Sequence, residues 1–229
     1  MSIILALETS SELASAAILN GENMFYREAP AVQTHSHTIL PLIQSLLAEA
    51  GVTLAQCDAI GFGSGPGSFT GVRTSCGVAQ GLAFGADVPL VPVVTLMAMA
   101  QSCRALHGAD DVLAVLDARM GEVYWAQYRY RDGWQCVIEP GLSAPAGVAP
   151  QGSVRACGNG LAAYAEAFAG AGFMHDALPT LMPRADAVAQ LAAIDLAMGH
   201  TVEAAEARPL YLRNKIALTI DERLAKAAS

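Results

Sequence analysis

The chain has 229 residues, 53% of them hydrophobic and 15% charged, which suffices for one full core or two small ones and excludes global disorder. The formal net charge is −8, with thirteen Lys and Arg against twenty-one Asp and Glu. That balance is poor for gripping phosphates, so if nucleic acid is the substrate, another chain is expected to hold most of it.

Ile3 to Leu7 is a short apolar run with no basic residue before it, so it is not expected to be a signal peptide. Ala14 to Leu19 is a second run, Asn20-Gly21 a hairpin signal, and Met24 to Ala29 the returning strand. Ile39, Ile43, Leu46, Leu47 and Ala50 recur at helical spacing, with Thr38 as cap and Pro41 in the first turn, or with a start near Thr34 and a kink at Pro41. Ala59 to Phe62 reads as a buried strand before a glycine-rich loop. A helix from about Thr70 to Phe84, a strand Leu90 to Val94 and a helix Leu96 to Leu106 follow. No apolar run is long and unbroken enough to span a bilayer. The five cysteines, Cys57, Cys76, Cys103, Cys136 and Cys157, contain no Cys-x-x-Cys pair. An odd count without pairing argues against a disulfide framework or zinc cluster and for a reducing cytosol.

The pattern then restarts. Val112 to Leu116 ends in Asp117 as the first strand ends in Glu8; Glu122 to Tyr130, the turn Asp132-Gly133, and Gln135 to Ile138 repeat the hairpin. After Val154 to Cys157 helical patterns take over, at Leu161 to Ala171 and Ala185 to Met198. The expectation is an α/β chain of two tandem actin-like, ribonuclease H-like domains, residues 1–107 and 108–229. Each has a mixed sheet covered by helices, the second is abbreviated, and a cleft lies between them.

Gly61-Phe62-Gly63-Ser64-Gly65-Pro66-Gly67-Ser68-Phe69-Thr70-Gly71-Val72-Arg73 has two readings. Ser68 and Thr70 can cap a helix whose N-terminus attracts phosphate, or the glycines serve a tight strand-to-helix connection. No Gly-Lys-Ser/Thr follows, so it is not a P-loop, and hairpin spacing of the first strands excludes a Rossmann loop. The following helix carries Gly77-x-x-x-Gly81 and, offset, Ser75-x-x-x-Ala79-x-x-x-Ala83. One small face serves internal packing; two favour a helix-on-helix partner surface. Ile39, Ile43, Leu46, Val72, Ser75, Gly77, Ala79 and Gly81 are the expected interface.

Ile4-Leu5-Ala6-Leu7-Glu8-Thr9-Ser10, His35-Ser36-His37, the Gly63 to Arg73 loop, Asp117-Ala118-Arg119-x-Gly-Glu122-Val123-Tyr124 and Pro209-x-Tyr211-Leu212-Arg213 together resemble the TsaB (YeaZ) family over nearly the whole chain. The resemblance implies a shortened relative of TsaD, the subunit that transfers threonylcarbamoyl to the tRNA adenosine beside the anticodon. It implies a non-catalytic cytoplasmic partner that dimerises with TsaD through N-terminal helices, is joined by TsaE, forms homodimers through the same surface, and meets tRNA only through the complex. ATP or ADP with magnesium is expected only in that complex.

Catalytic relatives hold a metal with a His-x-x-x-His helix, and the stretch corresponding to it here is Thr95-Leu96-Met97-Ala98-Met99. No metal site and no catalytic residue are therefore expected. His35-x-His37 reads as a polar surface pair. Glu8 and Asp117, with Ser68, Thr70 and Arg73, are the candidate phosphate-near residues. The favoured reading makes both acids solvated carboxylates at the domain junction, with Arg73 and Arg119 binding phosphate or pairing with them. A stand-alone actin-fold ATPase or kinase dependent on Glu8 and Asp117, and a metallopeptidase, are the alternatives.

Overall fold

A computed structural model of the chain describes residues 2–29 and 35–213. The tail 214–229 lies outside the described residues, as do Thr34 and the side chains of the His35-Ser36 pair. The first apolar runs become a meander of β1 (Ile3–Glu8), β2 (Ser15–Asn20) and β3 (Asn23–Glu28), extended in parallel by β4 (Ala59–Gly65) and β5 (Leu90–Val94) in the order β3-β2-β1-β4-β5. Side chains alternate across a strand, so β1 divides the core in two. Leu5 and Leu7 face α1 (His35–Ala50) and α2 (Phe69–Ala86), while Ile4 and Ala6 face α5 (Ala185–Ala197).

The second sheet repeats this plan with one strand fewer. β6 (Asp111–Arg119), β7 (Glu122–Tyr130), β8 (Trp134–Ser143) and β9 (Arg155–Cys157) run in the order β8-β7-β6-β9, with β6 and β9 parallel. The chain thus has two tandem α/β units of one topology, and the second is the abbreviated one. α3 (Thr95–His107) lies between them, with Leu96, Met99, Ala100 and Cys103 packed on the second sheet and Ala98 in the cluster beneath α5.

Two local expectations are decided. Of the two starts for α1 the earlier one, near Thr34, holds: the helix already runs from His35, so buried Thr38 lies inside it, not at its cap, and Pro41 falls beyond the first turn. Ile39, just before the proline, is buried in the core beneath α1. Leu161 to Ala171 does not form one helix: α4 (Gly160–Ala163) is followed by turns. Buried residues there are confined largely to Leu161 and Phe168, too few tertiary anchors to sustain a short helix.

The division at residue 107 separates the two sheets, yet the last part of the chain returns to the first. The Ala185 amide donates to Ser15 Oγ at 3.0 Å. A Cβ on Gly61 would come within 2.7 Å of Ala192 Cβ, so glycine there lets α5 lie directly on the sheet. Val202 then pairs with Leu90 at the edge of β5, and Gln80 Nε2 donates to the carbonyls of Ala204 and Ala207.

Candidate functional site

α2 has two faces of opposite character. Ser75, Cys76, Ala79 and Ala83 are buried against the sheet. Gly77, Gly81 and Gly85 point outward, and among the described residues a Cβ added to any of them would meet nothing within 4 Å. Phe84 beside them is 86% exposed, and Leu40 of α1, the neighbouring helix on the same side of the sheet, is 43% exposed. The expected interface set therefore splits. Gly77 and Gly81 are on the outer face; Ile39, Ile43, Leu46, Val72, Ser75 and Ala79 are buried at 1% exposure or less, so they form the chain's own core. A helix in a sheet-covering layer gives its first apolar stripe to that sheet, and only what remains can meet a partner.

A cavity of about 460 Å³ opens between the two units. The C-terminal ends of β1 and β6, the start of α2, Asn159 and residues 210–213 surround it. Ser68, the N-cap of α2, lines it and accepts from the Gly71 amide at 3.4 Å. Asp117 lines it too and is held by its neighbours. Its Oδ1 accepts from the Arg119 amide at 2.7 Å and from the Tyr164 hydroxyl at 3.0 Å, and its Oδ2 pairs with Arg119 at 3.1 Å. Arg119 also reaches Glu12 at 3.6 Å, and Asn159 Nδ2 donates to that same Glu12 carboxylate. The two carboxylates of the cavity are thus bridged by one exposed guanidinium. Of the candidate residues, the cavity joins Ser68 and Asp117; Glu8, Thr70 and Arg73 do not line it.

Glu8 is not a solvated carboxylate: it is 0% exposed. Its Oε1 accepts from the Ser10 amide at 2.5 Å, and Oε2 has no partner among the described residues. Burial pushes its pKa above the ordinary 4.5, against the lowering effect of its hydrogen bonding to Ser10. The carboxyl occupies the space left by Gly63, where a Cβ would lie 1.9 Å from Oε2. Cβ atoms on Gly67 and Gly71 would likewise strike the carbonyls of Ser10 and Thr9, at 2.3 and 2.0 Å. These glycines serve close packing on the end of β1. Thr95, the first residue of α3, ties the same knot: its hydroxyl meets Ser10 Oγ at 3.0 Å and accepts from the Gly65 amide at 3.2 Å.

Thr70 is exposed in the first turn of α2. Arg73 lies outside the cavity on the exposed side of α2, its guanidinium 3.5 Å above the Phe69 ring, and its Nε donates to the Tyr211 hydroxyl at 2.7 Å. Tyr211 and Arg213 were legible as motif residues only; their placement at the cavity depends on the return of the chain after α5. Among the described residues no three His, Cys, Asp or Glu side chains converge as a metal site, and no helix is long and apolar enough to cross a membrane.

Two tandem units of this topology with a cleft between them define the class, and residues 29–219 match the family model of TsaD, tRNA N6-adenosine threonylcarbamoyltransferase. The chain is 40% identical to the tRNA threonylcarbamoyladenosine biosynthesis protein TsaB of Haemophilus influenzae, over 93% of this chain and 94% of that one. It is 37% identical to the protein of the same name from Escherichia coli K12, over 93% and 96%. The crystal structure of YeaZ from Pseudomonas aeruginosa superimposes with a TM-score of 0.86 at 38% identity, over 93% of this chain and all of that one. Within the TsaD class, the chain belongs to the TsaB (YeaZ) family.

Proposed function

We propose that this chain acts in tRNA threonylcarbamoyladenosine biosynthesis as a non-catalytic cytoplasmic subunit that dimerises with TsaD, with TsaE joining the pair and tRNA held through the complex. The pathway is the one named for its H. influenzae and E. coli relatives. The observation that carries the partner role is the outer face of α2. Gly77 and Gly81 in the helix interior each cost about 1 kcal/mol relative to alanine, Gly85 lies in the last turn, and none of the three is required by packing among the described residues. Three such glycines beside an exposed phenylalanine make a smooth surface onto which a second helix can pack closely. The same face fits a second copy of this chain in the absence of TsaD.

The carboxylates speak against a stand-alone ATPase or kinase. Glu8 is enclosed and Asp117 is held by Arg119 and Tyr164; we propose that nucleotide with magnesium binds only in the complex. The test is threonylcarbamoyl transfer to tRNA from the adenylate, assayed with TsaD and TsaE in the presence and absence of this chain. Product is expected only when this chain and TsaD are both present. Transfer by this chain alone, or undiminished transfer without it, refutes the role.

A further inference from the structure

Residues 209–213 connect three parts of the molecule. The Leu210 amide donates to the Ser64 carbonyl of β4 at 2.7 Å. Tyr211 accepts from Arg73 of α2 at 2.7 Å, and its ring lies 6.1 Å from that of Phe69. Arg213 grips the turn between β6 and β7: Nη2 donates to the Ala118 carbonyl at 3.0 Å and to Glu122 Oε2 at 2.7 Å. In that turn Arg119 and Met120 hold φ of +61° and +59°, a left-handed conformation that side chains rarely adopt. The turn, the segment and α2 all border the interdomain cavity.

Arg73 is the point where this chain of contacts reaches the surface. It shares the exposed side of α2 with Gly77, four residues further on, and makes no ion pair among the described residues. Its Nε is bound to Tyr211, and the remaining guanidinium nitrogens have the bidentate geometry that a carboxylate takes.

We infer that residues 209–213 form a latch coupling the partner face of α2 to the β6–β7 turn at the cleft, with Arg73 as the contact for a carboxylate of the docked partner. The inference rests on the docking of TsaD on α2 proposed above. A partner that takes up Arg73 alters the Arg73–Tyr211 bond, and Arg213, two residues on, carries the change to a turn that its own contacts hold.

The experiment is hydrogen–deuterium exchange of the full chain, free and bound to TsaD, in the wild type and in Tyr211→Phe, which removes only the hydroxyl. The latch predicts at least a threefold slowing in peptides of α2 on binding, together with a comparable change in peptides covering 116–123. In Tyr211→Phe the α2 protection persists and the response of 116–123 is lost. A turn that does not respond in the wild type, or responds equally in Tyr211→Phe, overturns the latch while docking on α2 stands. Absence of α2 protection overturns both.

Discussion

Glu8 was legible as a strand-end carboxylate, but its surroundings were not. Nothing in the run Ala6-Leu7-Glu8-Thr9 distinguishes an acid at a cleft from one folded back over a glycine of the next strand. The sign of its titration follows from burial. The folded state favours the neutral carboxyl, so above pH 4.5 the native protein holds a proton that the unfolded chain has lost. Stability therefore falls as pH rises from 4.5 toward the raised pKa, with a slope of at most about 1.4 kcal/mol per pH unit. Urea unfolding between pH 4 and 8 should show this decline in the wild type and a flatter profile in Glu8→Gln. Equal slopes would mean that Glu8 titrates as it does in the unfolded chain.

The glycine-rich region shows what sequence spacing can and cannot decide at the scale of an element. The strand, loop and helix were all legible from Ala59 to Phe84, and so were the two small faces of α2. Which face turns inward depends on the register between helix and sheet, which no local pattern encodes. Apolar α1 positions such as Ile39 and Ile43 were assigned outward for the same reason. The outcome separates glycines of one segment by role. Gly63→Ala places a Cβ against the buried Glu8 carboxyl and should destabilise the fold by about 3 kcal/mol. Gly77→Ala meets no neighbour and should stabilise it by about 1 kcal/mol through helix propensity. Denaturant midpoints of the two variants measure both effects, and a destabilising Gly77→Ala would show that its face is occupied within the monomer.

The duplication was legible in the whole molecule because the acid, the hairpin and their order recur, and the order β3-β2-β1-β4 is matched by β8-β7-β6-β9. The crossing of the last helix was not. α5 is rich in alanine, a composition that suits either sheet, and only packing assigns it to the first. Residues 1–107 alone would thus expose the face of the first sheet formed by Ile4, Ala6, Val91 and Val93, which α5 covers. That fragment is expected to lack a cooperative thermal transition by circular dichroism, whereas the full chain has one; a cooperative fragment would make α5 dispensable for the first core. The same return places residues 209–213 across the cleft, which ties the two units together beyond the packing of α3.

The central claim is a partner surface on the outer face of α2. Its most direct measurement is size-exclusion chromatography with light scattering of this chain mixed with TsaD, as wild type and as Gly81→Leu. A Cβ there meets no atom of the described residues, so the variant should keep its unfolding stability within about 1 kcal/mol of the wild type. A one-to-one complex with the wild type that Gly81→Leu abolishes is the predicted result. No complex with the wild type, or one that Gly81→Leu leaves intact, would contradict it.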